Sequence, residues 1–75
     1  HLLGAAGALE DAICVAALQQ HIIPATLGSG ALDPACGALD LAWGSPRPAP
    51  GLTHVMSNSF AFGGSNVALV FRRAA

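Results

Sequence analysis

Ser57-Asn58-Ser59-Phe60-Ala61-Phe62-Gly63-Gly64-Ser65-Asn66 is the stretch on which the fold of this chain turns: two phenylalanines flank a small residue and run into a Gly-Gly pair. Upstream, Leu52 to Ser57 has the composition of a strand. Downstream, Val67 to Arg72 is rich in Val, Leu and Phe, as suits a strand buried on both faces. A connection from Asn58 to Asn66 between two such segments predicts an antiparallel pair, and its glycines allow backbone geometry that other residues resist. Two large rings on a flexible loop are costly in water, so they line a cavity or plug a core. Free N–H groups near Phe62 to Gly64 can also form a nest for an anion or an oxyanion. A plain hairpin turn with buried rings accounts for the same residues equally well.

Working back from the loop, Leu2 to Gln20 is rich in Ala and Leu, lacks Pro, and predicts a helix. Its apolar residues lie on every face, the pattern of a buried helix inside a larger protein. Gly4 and Gly7, among Ala5, Ala6 and Ala8, strip side-chain bulk from its first turns and make a close-packing surface. Ile22 to Leu27 reads as an extended segment that Pro24 confines to a sheet edge. Gly28 to Pro50 holds four of the five prolines and predicts a surface excursion, with a possible short strand at Leu39 to Trp43. The order of buried helix, extended edge segment, loop excursion and antiparallel strand pair describes the last part of an α/β layer and not a complete fold.

Composition agrees. Charged residues are 9% of the 75 residues and apolar ones 53%, against roughly 25% charged in an average soluble protein. A domain of this size buries only about 60% of its unfolded surface, so standing alone this chain would show large apolar patches to water. It opens on His1 without an initiating Met or a basic region, the mark of neither a natural start nor a signal peptide. Glu10 and Asp11 interrupt the apolar run from Leu2 to Leu18, each at about 2.5 to 3.5 kcal/mol at mid-bilayer, which excludes a membrane span. A net charge of -1 with three basic residues predicts no nucleic-acid or anionic-membrane partner. Cys14 and Cys36 have neither CxxC spacing nor a histidine set for zinc, so they are expected to be reduced thiols of a cytoplasmic protein, with no metal.

Two polar residues stand out. His1 lies at the mouth of the apolar helix, where the positive end of the helix dipole favours a neutral imidazole able to donate one hydrogen bond. An exposed histidine is the commoner reading of such a residue alone. Glu10, in mid-helix, needs a partner if it is buried; beside Asp11 it could instead face water.

At this point the residues carry a resemblance. His1-Leu2-Leu3-Gly4-Ala5-Ala6-Gly7-Ala8-Leu9-Glu10 resembles the block of the beta-ketoacyl-acyl carrier protein synthases in which the second catalytic histidine precedes a small-residue helix. Asn58 to Leu69 with Val70-Phe71-Arg72 resembles the phenylalanine-glycine loop and final strand of those enzymes, and Ile23-Pro24-Ala25-Thr26 resembles their Ile-Pro-Pro-Thr segment. The motifs run in order over nearly the whole chain, most weakly from Gly28 to Gly51. Phe62-Gly63-Gly64-Ser65-Asn66 is similar to the free-standing, type II elongating synthases, whereas modular polyketide ketosynthases read more like Gly-Val-Ser-Gly-Thr-Asn.

The resemblance implies a thiolase-like layered αβαβα fold, of which residues 1–75 form an incomplete, C-terminal portion of the C-terminal domain. It implies a decarboxylative Claisen condensation of malonyl-acyl carrier protein with an enzyme-bound acyl thioester, in fatty acid or polyketide biosynthesis, with no cofactor. The implied partners are acyl carrier protein and a second subunit, in a homodimer or a heterodimer with a ketosynthase-like chain. His1 then matches the histidine that hydrogen-bonds the malonyl thioester carbonyl, and the backbone N–H of Phe62 one oxyanion donor. Phe60 and Phe62 match the gate for the acyl chain, with Ala61, Gly63 and Gly64 as its backbone, and Glu10 a supporting carboxylate near an upstream lysine. Cys14 and Cys36 do not match the nucleophile, which lies upstream, and His21 and His54 match no catalytic position. Ala61 stands where the family usually has glycine, which implies a stiffer loop unless the dihedral there is ordinary. A catalytically silent chain-length-factor subunit and an interaction module without chemistry are the competing functions, and the segment alone is expected to be inactive.

Overall fold

The computed structural model describes residues 1–28 and 30–74. Helix α1 spans Ala6–Gln20, followed by strands β1 (Ile22–Ile23), β2 (Arg47–Pro48), β3 (His54–Phe60) and β4 (Asn66–Arg72). β1 pairs antiparallel with β2, and β3 antiparallel with β4. The chain is therefore a small α/β unit of one helix and two antiparallel strand pairs.

The helix begins later than its composition predicts. Leu3–Ala5 forms a 3-10 turn first, because Leu3 takes a φ of 49° and its N–H is drawn to Nδ1 of His1 at 2.8 Å. At the other end His21 adopts the left-handed conformation (φ 53°, ψ 46°) and returns its N–H to the Ala17 carbonyl, which stops the helix and turns the chain into β1.

The hairpin also differs from expectation. β3 runs over His54–Phe60 and not Leu52 to Ser57, in register with all of β4 from His54↔Arg72 to Phe60↔Asn66. Asn58, Ser59 and Phe60 thus belong to the ladder, because two strands of 7 residues each leave no reason to stop pairing before Phe60. The remaining connection closes with Ala61 N–H to Ser65 O at 2.8 Å and Gly64 N–H to Ala61 O at 3.3 Å. Gly63 and Gly64 supply the turn, at φ 87° and 86°. Ala61 does not: outside glycine, positive φ among the described residues is confined to Leu3 and His21. The stiffness expected of alanine at this position is absent for that reason.

No strand forms at Leu39 to Trp43. Trp43 makes a single parallel bridge to Thr26, held by Thr26 N–H to Ala42 O at 2.7 Å and Gly44 N–H to Thr26 O at 3.3 Å, while the pairing partner of β1 is Arg47–Pro48. Proline cannot donate to a ladder, so Pro46, Pro48 and Pro50 limit β2 to two residues. Arg47 pins the excursion from within, through Asp40 at 2.8 Å and the Leu41 carbonyl at 3.1 Å.

α1 packs against β3 and, less, β4. The half-buried strand residues Val55, Ser57 and Phe71 share one face of the hairpin. Arg73 fastens the open end: its guanidinium donates to the Leu18 carbonyl and its N–H to Thr53 O at 2.9 Å. Within this chain α1 is only partly covered: Ala17 and Leu18 are its buried residues, and Leu9, Ile13 and Val15 are exposed. One strand pair covers one side of a helix that is apolar on all sides. The accessible surface is 5853 Å², against about 4,250 Å² for a compact monomer of this mass, and the molecule is a slab of 38 × 37 × 20 Å. Among the described residues no helix is long and apolar enough to cross a membrane.

Candidate active site

A large cleft, of about 760 Å³, lies where the start of α1 meets the tip of the hairpin. His1, Leu3, Ala6, Gly7 and Glu10 line one side, and Asn58, Ser59, Phe60, Ala61 and Phe62 the other. Two regions that are remote in sequence thus share one cavity. The lack of bulk at Ala6 and Gly7, read from the sequence as a packing surface, instead leaves the cleft open.

His1 is set in a defined protonation pattern. A backbone N–H can only donate, so the bond from Leu3 N–H requires Nδ1 of His1 to be the bare nitrogen. A neutral His1 therefore carries its proton on Nε2, the other ring nitrogen taking its role from this one bond. Across the cleft, the turn uses the N–H groups of Ala61 and Gly64, and those of Phe62 and Gly63 have no acceptor among the described residues. Phe60 is 79% exposed and Phe62 is 107% exposed, so both rings are available to whatever fills the cleft. Glu10 is exposed on the same side as His1; among the described residues the ion pair formed is Arg47–Asp40, so Glu10 has no cation beside it.

Gly63 and Gly64 turn the loop without lining the cleft. Cys14 is half-buried against a separate apolar hollow of about 200 Å³ between α1, β1 and β3, and Cys36 is exposed. His21 and His54 do not line the large cleft. Asn58 and Ser59 do; the sequence places these two polar residues in the connection, and the structure places them in β3, which runs to Phe60. Among the described residues no cluster of three His, Cys, Asp or Glu could hold a metal.

Neutral N–H donors at His1 and Phe62, in a cleft with the rings of Phe60 and Phe62 on its hairpin side, are of the kind that can stabilise negative charge developing on a carbonyl oxygen. The class so defined is a small α/β segment in which His1 and the Phe60–Phe62 loop line one cleft. Comparison with known proteins narrows it. The chain is 45% identical over 73 residues, 97% of its length, to 3-oxoacyl-(acyl-carrier-protein) synthase 2 of Mycobacterium tuberculosis. It is 45% identical over 71 residues to the protein of the same name from Mycobacterium leprae, and 45% identical over 73 residues to nodulation protein E of Rhizobium leguminosarum bv. trifolii. This chain belongs to the 3-oxoacyl-acyl carrier protein synthase family. It spans about one sixth of the length of these relatives, 17%, 16% and 18% respectively. No family model and no solved structure matches it.

Proposed function

We propose that the protein carrying this chain is a free-standing elongating condensing enzyme of thiolase-like fold, acting in fatty acid or polyketide biosynthesis in the cytoplasm. Residues 1–75 are part of its C-terminal domain. They supply one wall of its active site.

The reaction is a decarboxylative Claisen condensation. An acyl group waits as a thioester on a cysteine outside this segment, and malonyl-acyl carrier protein enters the cleft. The malonyl group loses CO₂, and the electron pair of the broken C–C bond passes into the thioester enolate. His1 Nε2–H bonds the enolate oxygen, where it is worth about 3 to 4 kcal/mol by comparison with other oxyanion donors. The nascent carbanion attacks the acyl thioester carbon; the resulting oxyanion accepts from the Phe62 N–H, then collapses to expel the cysteine thiolate and leave the chain two carbons longer on the carrier. Glu10 supports the site through a cation from elsewhere in the protein. Phe60 and Phe62 admit or occlude the acyl chain as the loop moves.

The observation that carries this reading is the bond from Leu3 N–H to His1 Nδ1, because it commits the neutral ring to donate from Nε2 in a cleft that also holds the free N–H of Phe62. The test is malonyl-acyl carrier protein decarboxylation and acyl condensation by the intact protein, with and without His1→Ala. Loss of both activities in the variant supports the reading. An intact protein that performs neither step, and only alters product length when paired with an active synthase, is the silent chain-length factor instead.

A further inference from the structure

We propose that Arg73 is a positioning residue for the cleft, holding the spacing of its two walls from the opposite end of the molecule; the inference rests on the condensing reading above.

The seam between α1 and the hairpin is fastened at one end and open at the other. At the fastened end the Arg73 guanidinium donates to the Leu18 carbonyl, while the Arg73 backbone N–H donates to Thr53 O at 2.9 Å. One residue thus joins the chain after β4, the chain before β3 and the last turn of α1. The Leu18 carbonyl is among those at a helix C-terminus that have no partner within the helix, so the guanidinium fills a place that would otherwise stay empty. Ala17 and Leu18, at this clamp, are also the buried residues of α1.

At the cleft end the two elements stand apart. A Cβ at Gly4 or Gly7 would meet nothing within 4 Å, and among the described residues no hydrogen bond joins the start of α1 to the hairpin tip. His1 precedes that end of the helix through the 3-10 turn Leu3–Ala5, and Phe62 lies at the tip opposite. From Gly7 to Leu18 the helix runs about 16 Å, so a tilt of about 4° at the clamp moves its start by about 1 Å. A misplacement of about 1 Å is enough to cost about 100-fold in rate.

The two half-reactions sense this spacing differently. Loading the acyl group onto the cysteine draws on the Phe62 N–H, whereas decarboxylative condensation draws on His1 and Phe62 together. A shift of one wall against the other lowers condensation more than loading, and a general loss of folded protein lowers both alike.

The experiment measures single-turnover acyl loading from acyl-acyl carrier protein, and single-turnover condensation of the loaded enzyme with malonyl-acyl carrier protein. It compares the intact wild type with Arg73→Met and Arg73→Lys, and the readout is the ratio of condensation to loading within each. Arg73→Met is expected to lower this ratio about 10- to 100-fold. Arg73→Lys, which can still donate to one carbonyl, is expected to keep it within about threefold of wild type. Should Arg73→Met not fold, Arg73→Gln, whose side chain is too short to reach, takes its place. A ratio within about twofold of wild type without the guanidinium, or a lysine variant no better than methionine, overturns the inference while leaving the condensing reading in place. A wild-type protein that neither loads nor condenses overturns the reading and the inference together.

Discussion

Leu3 donates its backbone N–H to Nδ1 of His1 at 2.8 Å, and it holds a φ of 49°, outside the comfortable range of a leucine, in the conformation that makes this bond. The imidazole is oriented and its proton assigned by the second residue after it, before any substrate arrives. In the intact protein His1→Ala is expected to lower malonyl decarboxylation about 100- to 1,000-fold, the effect of removing one oxyanion donor. His1→Gln, whose amide reaches the Nε2 position, restores part of that loss, while His1→Asn, which mimics only Nδ1, restores none. Equal rates for the two amides would remove the donor role of Nε2.

Gly63 and Gly64 turn the loop at positive φ, yet a Cβ at either meets nothing within 4 Å. The penalty for alanine there is one of dihedral angle and not of space. Gly63→Ala and Gly64→Ala should each cost about 1 to 2 kcal/mol, read as a lower urea midpoint of the intact protein. Gly51→Ala, at ordinary φ with the same open space, should stay within about 0.5 kcal/mol.

His21 ends α1 in the left-handed conformation, and its Nδ1 is buried without a hydrogen-bond partner among the described residues. His21→Gly relieves both the dihedral and the unpaired nitrogen. It is expected to raise stability by about 1 kcal/mol, visible as an increased thermal midpoint, and a decreased midpoint would show that the ring's packing outweighs both.

Asp40 accepts a hydrogen bond from Arg47 and lies beside its charge, which together hold its carboxyl below the ordinary aspartate range and raise the Arg47 guanidinium. Because the folded pKa is the lower one, the pair stabilises the folded chain above the ordinary carboxylate pKa of about 3.9. That contribution is lost as pH falls through the depressed value. Asp40 is exposed and Arg47 only half-buried, so the stability effect is small and a carboxyl NMR titration is the sensitive probe. Arg47→Ala should return the Asp40 midpoint to the ordinary range; an unmoved midpoint would show that the pair does not persist in solution.

The exposed area of 5853 Å² exceeds that of a compact monomer of equal mass by about 1,600 Å², about twice what one partner contributes to a standard protein interface. Expressed alone, the 75 residues should self-associate or lose their tertiary structure, as measured by sedimentation and near-ultraviolet circular dichroism. A stable, monodisperse monomer would favour an independent interaction module instead.

By itself the sequence determined the helix, the hairpin, their order, and the incompleteness of the core. These follow from local propensity, apolar patterning and a shortage of charge, all of which are written residue by residue. Its resemblance to the synthases also singled out His1 and the Phe60–Gly64 loop. Only the tertiary structure decided that β3 continues to Phe60, that Ala61 keeps an ordinary dihedral while Gly63 and Gly64 turn the chain, and that β1 pairs with Arg47–Pro48 and not with Leu39 to Trp43. Strand ends are set by how far a partner strand runs, and that partner is distant in sequence. The grip of Arg73 on the Leu18 carbonyl has the same origin, a bond between residues 55 apart in the chain that no propensity or pattern encodes in advance. The tautomer of His1 rests instead on a local bond from Leu3, made at the unusual φ that Leu3 takes once the chain has folded.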